Sequence, residues 1–197
     1  MGRHSLELLQ RRVLCDVSKR LARTEASLGS PRVDVTVLHL VRDPRAVAYS
    51  SFRKTRRSMQ GDARRAVDTA VRSWVDYQDR CEVLRKRFPQ SWLTIRYEDL
   101  AMSPSLELSR ILASKALAFE PAMLRYRART DHGLGGNRLR FDGGDQVLLD
   151  AQYLDELDAP AWSRVTERTV EQRGRFGYPS GRESTRERFG VAGDSRR

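Results

Sequence analysis

Residues 33 to 50 read VDVTVLHLVRDPRAVAYS, and the change of pattern inside this stretch constrains the fold more than any other part of the chain. Positions 33 to 41 are a nearly continuous apolar run rich in valine and leucine, the pattern of a parallel strand buried on both faces. Arg42-Asp43-Pro44 ends it. Proline fixes φ near the helical value and suits a first helical turn, while the aspartate before it can cap the helix. The spacing therefore predicts a helix from Pro44 to about residue 57. A buried strand that runs straight into a helix is the first half of a parallel crossover, so the fold class is α/β.

The remaining elements fit that class. From Asp62 to Phe88, positions Val67, Ala70, Val71, Trp74, Tyr77, Cys81, Leu84 and Phe88 recur at three or four, which predicts a long helix with one core face. Trp92 to Tyr97 reads as a second inner strand. Ser103 as N-cap and Pro104 at the first helical position start another helix, with Leu106, Ile111 and Leu112 toward the core. Near the N-terminus, Leu6, Leu9, Val13, Val17 and Leu21 predict an amphipathic helix over residues 5 to 23, closed by Gly29-Ser30-Pro31. Residues 127 to 144 read as one long glycine-rich loop, and a last helix is expected from Ala161 to Arg175 before Gly177-Tyr178-Pro179. The division is one domain over residues 1–178 and a disordered basic tail over 179–197. Only two strands are convincing, too few for a doubly wound sheet.

Composition narrows the partners. Thirty-seven Lys and Arg against 26 Asp and Glu give a formal charge of +11, which favours an anion: a nucleotide, a polyanion or a membrane surface. Cys15 and Cys81, and His4, His39 and His132, are scattered without metal-ligand spacing, so no metal is expected and the thiols read as buried or idle in a reducing compartment. No apolar run is long enough to span a bilayer and no hydrophobic signal core precedes the first helix, so the cytoplasm is the expected location.

In open α/β sheets ligands bind beyond the carboxyl ends of the strands. Arg42 stands at such an end, and the positive end of the helix at Pro44 with its free N–H groups is expected to accept an anion. Ser50, eight residues beyond Arg42 and about two turns along, can add a hydroxyl. The same residue types also make a surface ion pair, and a helical serine is often only solvated.

Read together, LHLVRDPRAVAYS, then IRYEDL, then Ser103-Pro104 resemble the sulfotransferases that use 3'-phosphoadenosine-5'-phosphosulfate (PAPS) as sulfuryl donor. HGLGGNRLRF looks like the Gly-Asn loop of bacterial and carbohydrate-type members, and PAWSRVTERTVEQRGRFGY resembles their closing helix with its Gly-Tyr. The resemblance runs over about residues 30 to 178. It implies a three-layer, P-loop-like nucleotide-binding fold with a parallel sheet, and sulfuryl transfer from PAPS to a hydroxyl or amine acceptor without a metal. By the same resemblance Arg42 and Ser50 hold the 3'-phosphate, Tyr97 lies near the adenine, and Gly136, Asn137 and Arg140 add nucleotide contacts. Arg138 stands where the family form has proline.

The glycine-rich loop that would follow a first strand and cradle the 5'-phosphosulfate is not recognisable; MGRHSLELL lacks both the preceding strand and the second glycine. The expectation is therefore a C-terminal portion of such an enzyme, incomplete at the N-terminus, with doubtful activity on its own and an exposed sheet edge that favours self-association. No catalytic base is assigned; His132 is the one histidine near an expected ligand loop. The competing reading is a basic nucleic-acid or polyanion binder without catalysis, although no recognised motif organises its arginines into a groove contact.

Overall fold

Val37 to Val41 form β1 and Trp92 to Arg96 form β2, and the two pair in parallel with Val37 beside Trp92 and Val41 beside Arg96. The computed structural model describes residues 13–17, 19–58, 61–125 and 148–192. Between the strands run α1 of the crossover, Pro44–Ser58, and α2, Ala63–Arg87, which pack against each other. Parallel strands need such a connection because no tight hairpin can join them. The side chain of Asp62 accepts the Arg64 and Arg65 N–H groups at the start of α2, and Arg85, Lys86 and Arg87 in its last turn suit the negative end of the dipole. Val67, Val71, Trp74, Cys81 and Leu84 are buried as their spacing requires, together with Gln78, while Ala70, Tyr77 and Phe88 are half-buried.

After β2 the chain forms α3 (Tyr97–Met102) and α4 (Pro104–Ala113), then, beyond residue 147, α5 (Tyr153–Glu156), α6 (Ala159–Arg168), α7 (Val170–Arg175) and α8 (Arg182–Arg188). A further helix, Leu21–Leu28, precedes β1. The core lies on one side of the sheet, where Val41, Trp74, Tyr178 and Phe189 cluster, and continues between α1, α5 and α6 through Ala46, Tyr49, Tyr153, Leu154 and Trp162. On the other side of β1, Leu38 is 46% and Leu40 53% exposed. The α/β class thus holds, but among the described residues the sheet has two strands and β1 lacks the covering of a third layer.

Several expectations are corrected. Of the helix expected over 5 to 23, residues 5–12 lie outside the described residues, the described residues of 13 to 20 are not helical, with Lys19 at φ 58°, and a helix runs from Leu21 to Leu28, stopping at Gly29 as anticipated. The strand starts at Val37 rather than 33, and Tyr97 opens a helix rather than ending a strand. Ser103 precedes α4 but makes no capping bond through its side chain, and Leu106 is exposed. The closing helix is two, divided at Thr169, whose hydroxyl donates to Val165 O at 2.7 Å. Nor are residues 182–192 a disordered tail. Thr185, Arg186 and Phe189 are buried because Arg45, Asp155 and the Tyr178 cluster offer them partners. No helix among the described residues is long and apolar enough to cross a membrane.

Candidate functional site

The parallel register decides what meets at the carboxyl ends of the strands. Val41 pairs with Arg96, so the next residues, Arg42 and Tyr97, leave the sheet side by side, and the Arg42 guanidinium carbon lies 4.7 Å from the centre of the Tyr97 ring. Trp74 fixes the Arg42 backbone by donating its indole N–H to Arg42 O at 3.1 Å. Arg42 Nη2 bonds Asp150 Oδ2 at 2.9 Å, and Tyr97 Oη donates to Leu148 O and accepts from the Asp150 N–H, both at 3.1 Å. Ser50 sits further along α1 with its side chain exposed. Gly136, Asn137 and Arg140, with Arg138 and His132, lie outside the described residues.

The N-terminus of α1 is not the open anion site expected from the sequence. Asp43 does cap it, with Oδ1 accepting the Arg45 N–H at 2.9 Å, but Asp43 and Arg45 are both fully buried. Pro44 has no N–H, and the Asp43 N–H is taken by Glu98 Oε1 at 3.0 Å. Internal carboxylates therefore occupy the Asp43 and Arg45 N–H groups.

Sequence reasoning passed over the group that seals this turn. Arg45 Nε donates to Asp43 Oδ1 at 2.8 Å and its Nη2 to Oδ2 at 2.5 Å, while Nη1 reaches Ser180 O at 3.1 Å and the guanidinium lies 4.2 Å from a Trp162 ring centre. Tyr178 Oη donates to Glu98 Oε2 at 2.7 Å and lies 3.3 Å from Val41 O. Burial raises the Glu98 pKa, against the hydrogen bonds from Asp43 N–H and Tyr178, and burial with the nearby Glu98 and Asp43 carboxylates also raises that of Tyr178. Gly177 turns the chain into Tyr178 at φ +69°, a conformation glycine adopts without a Cβ penalty. Arg45, Glu98 and Tyr178 lie in LHLVRDPRAVAYS, IRYEDL and RGRFGY respectively, and nothing in the local sequence marks their burial.

Elsewhere, His39 is buried against Trp92 and Phe176, and burial lowers its pKa to about 4. Both cysteines are free; Cys81 is buried with its thiol pushed up to about 11, whereas Cys15 is exposed rather than buried.

Residues 34–121 match the model of the sulfotransferase family. A solved sulfotransferase domain from the curacin biosynthetic pathway is similar to this chain with 18% identity and a TM-score of 0.43, over 81% of this chain and 55% of that one. The chain thus spans little more than half the length of that structure. No curated protein matches.

Proposed function

We propose that this chain, assigned to the sulfotransferase family by its match over residues 34–121, carries the nucleotide end of a PAPS-dependent donor site. In this reading the reaction joins an acceptor hydroxyl or amine to sulfur while the bond from sulfur to the 5'-phosphate oxygen of the donor breaks. Adenosine 3',5'-bisphosphate leaves, and the acceptor proton passes to a base not assigned among the described residues. Catalysis of this kind depends on holding the donor in line and offsetting its charge.

The observation that supports it is the pairing of Arg42 and Tyr97. Two residues 55 apart in sequence, each singled out separately, leave adjacent parallel strands at the same level and stack 4.7 Å apart. That places a permanent cation against an aromatic face at the strand ends, a combination suited to a nucleotide phosphate beside a base. Arg42 and the exposed Ser50 are assigned to the 3'-phosphate and Tyr97 to the adenine side. Gly136, Asn137 and Arg140 are proposed to complete the nucleotide contacts.

Calorimetric titration with adenosine 3',5'-bisphosphate tests this. Wild type should bind, and Arg42→Ala should lose about 1.5 to 3 kcal/mol of affinity, the worth of a charge-assisted contact. Equal binding by both proteins would remove Arg42 from the site.

A further inference from the structure

Residues 148 to 150 cross the ends of both strands and hold both of the side chains assigned there. Arg42 spends one nitrogen on this segment: Nη2 bonds Asp150 Oδ2 at 2.9 Å and Asp150 O at 3.3 Å, which accounts for both of its hydrogens. Arg42 Nε is buried with no hydrogen-bond partner among the described residues, and the guanidinium's hydrogen bonds to them run through Nη2. Tyr97 is tied to the same three residues through its hydroxyl, and its ring lies against the guanidinium. An arginine is costly to immobilise because it has many rotamers, and here that ordering is already complete.

We infer that Asp150 is the positioning residue of the donor site. Its carboxylate and carbonyl fix Arg42 Nη2 beside Tyr97, leaving Nη1 as the donor for the 3'-phosphate. This rests on the assignment of Arg42 proposed above. An Asp150 that competed with the phosphate for Arg42 would act with the opposite sign, since its removal would tighten nucleotide binding.

The test is calorimetry on the full chain with two probes, adenosine 3',5'-bisphosphate and adenosine 5'-monophosphate, for wild type, Asp150→Ala, Asp150→Asn, Arg42→Ala and the Asp150→Ala/Arg42→Ala pair. Asp150→Ala should weaken the bisphosphate about tenfold and leave the monophosphate within about twofold, because the effect runs through the 3'-phosphate alone. Asp150→Asn, which keeps an acceptor oxygen and the side-chain shape, should recover most of the loss. In the Arg42→Ala background the Asp150→Ala change should cost nothing further. Tighter bisphosphate binding by Asp150→Ala, an equal loss for both probes, or an undiminished loss without Arg42 would each overturn the positioning role. If Arg42→Ala weakens the bisphosphate and neither Asp150 variant does, only this inference fails; if Arg42→Ala binds like wild type, the donor-site assignment itself fails.

Discussion

Asp43 and Arg45, two residues apart at the start of one helix, form a doubly hydrogen-bonded ion pair in which neither side chain is exposed. The pair is closed in by groups from the far end of the chain, with Ser180 O, Thr185 Oγ1 and the Trp162 ring on Arg45 and the Tyr153 hydroxyl on Asp43. Such a pair stabilises little relative to an apolar pair, yet removing one member leaves a buried charge uncompensated. Arg45→Ala should therefore cost about 3 to 5 kcal/mol in urea unfolding. Arg45→Lys should recover little, because an ammonium cannot reproduce the planar fork. A loss well under 1 kcal/mol for Arg45→Ala would mean that water reaches Asp43.

His39 makes stability depend on pH in a definite window. Its pKa is 6.5 when free and about 4 when folded, because burial disfavours the charged ring. Between these values the unfolded chain binds more protons than the native one, so stability is full above 6.5 and falls as the pH drops toward 4. The contribution lost over that window is roughly 3 kcal/mol. His39→Leu removes this dependence, so wild-type stability should fall relative to the variant's by roughly 3 kcal/mol between pH 7 and pH 4; parallel curves would place the imidazole in contact with water.

Phe189 tests whether the described C-terminal segment is packed as the structure has it. It is 4% exposed and packs edge-on against Tyr178, beside Val41 and Trp74. Phe189→Ala should cost about 3 to 5 kcal/mol, the usual loss for a buried phenylalanine. Unchanged thermal unfolding would restore the disordered tail that the polar composition suggests.

How much was legible follows from how far each contact reaches along the chain. The junction at Arg42-Asp43-Pro44 was readable because proline and the switch of periodicity act locally, and the core face of Ala63–Arg87 was readable because helical spacing repeats for seven turns. Contacts such as Arg42 with Asp150, 108 residues apart, or Asp43 with Glu98, 55 apart, leave no local trace. Charge misled in one place: Arg182 and Arg186 looked like tail residues, yet their guanidiniums satisfy the carbonyls of Leu154 and Leu157 at the end of a short helix. The break before Leu21 was missed because apolar spacing cannot see the positive φ of Lys19.

The exposed face of β1 leads to the last prediction. Leu38 and Leu40 alternate with buried His39 and Val41, so the strand turns two large aliphatic side chains outward. Among the described residues β1 pairs on one edge only, with β2, and the other edge presents unpaired backbone donors and acceptors beside those leucines. An unpaired edge with an apolar face is a template for another strand, and the strand always present at working concentration is the same one in a second copy. The chain of residues 1–197 is thus expected to self-associate with rising concentration, most strongly at high salt, where repulsion between molecules of charge +11 is screened. Leu40→Lys puts a charge on that face without touching the buried side of the strand, and should shift the species seen by sedimentation velocity toward monomer while leaving thermal unfolding nearly unchanged. A wild-type chain that stays monomeric at high concentration and high salt would show that the leucines are covered by other means.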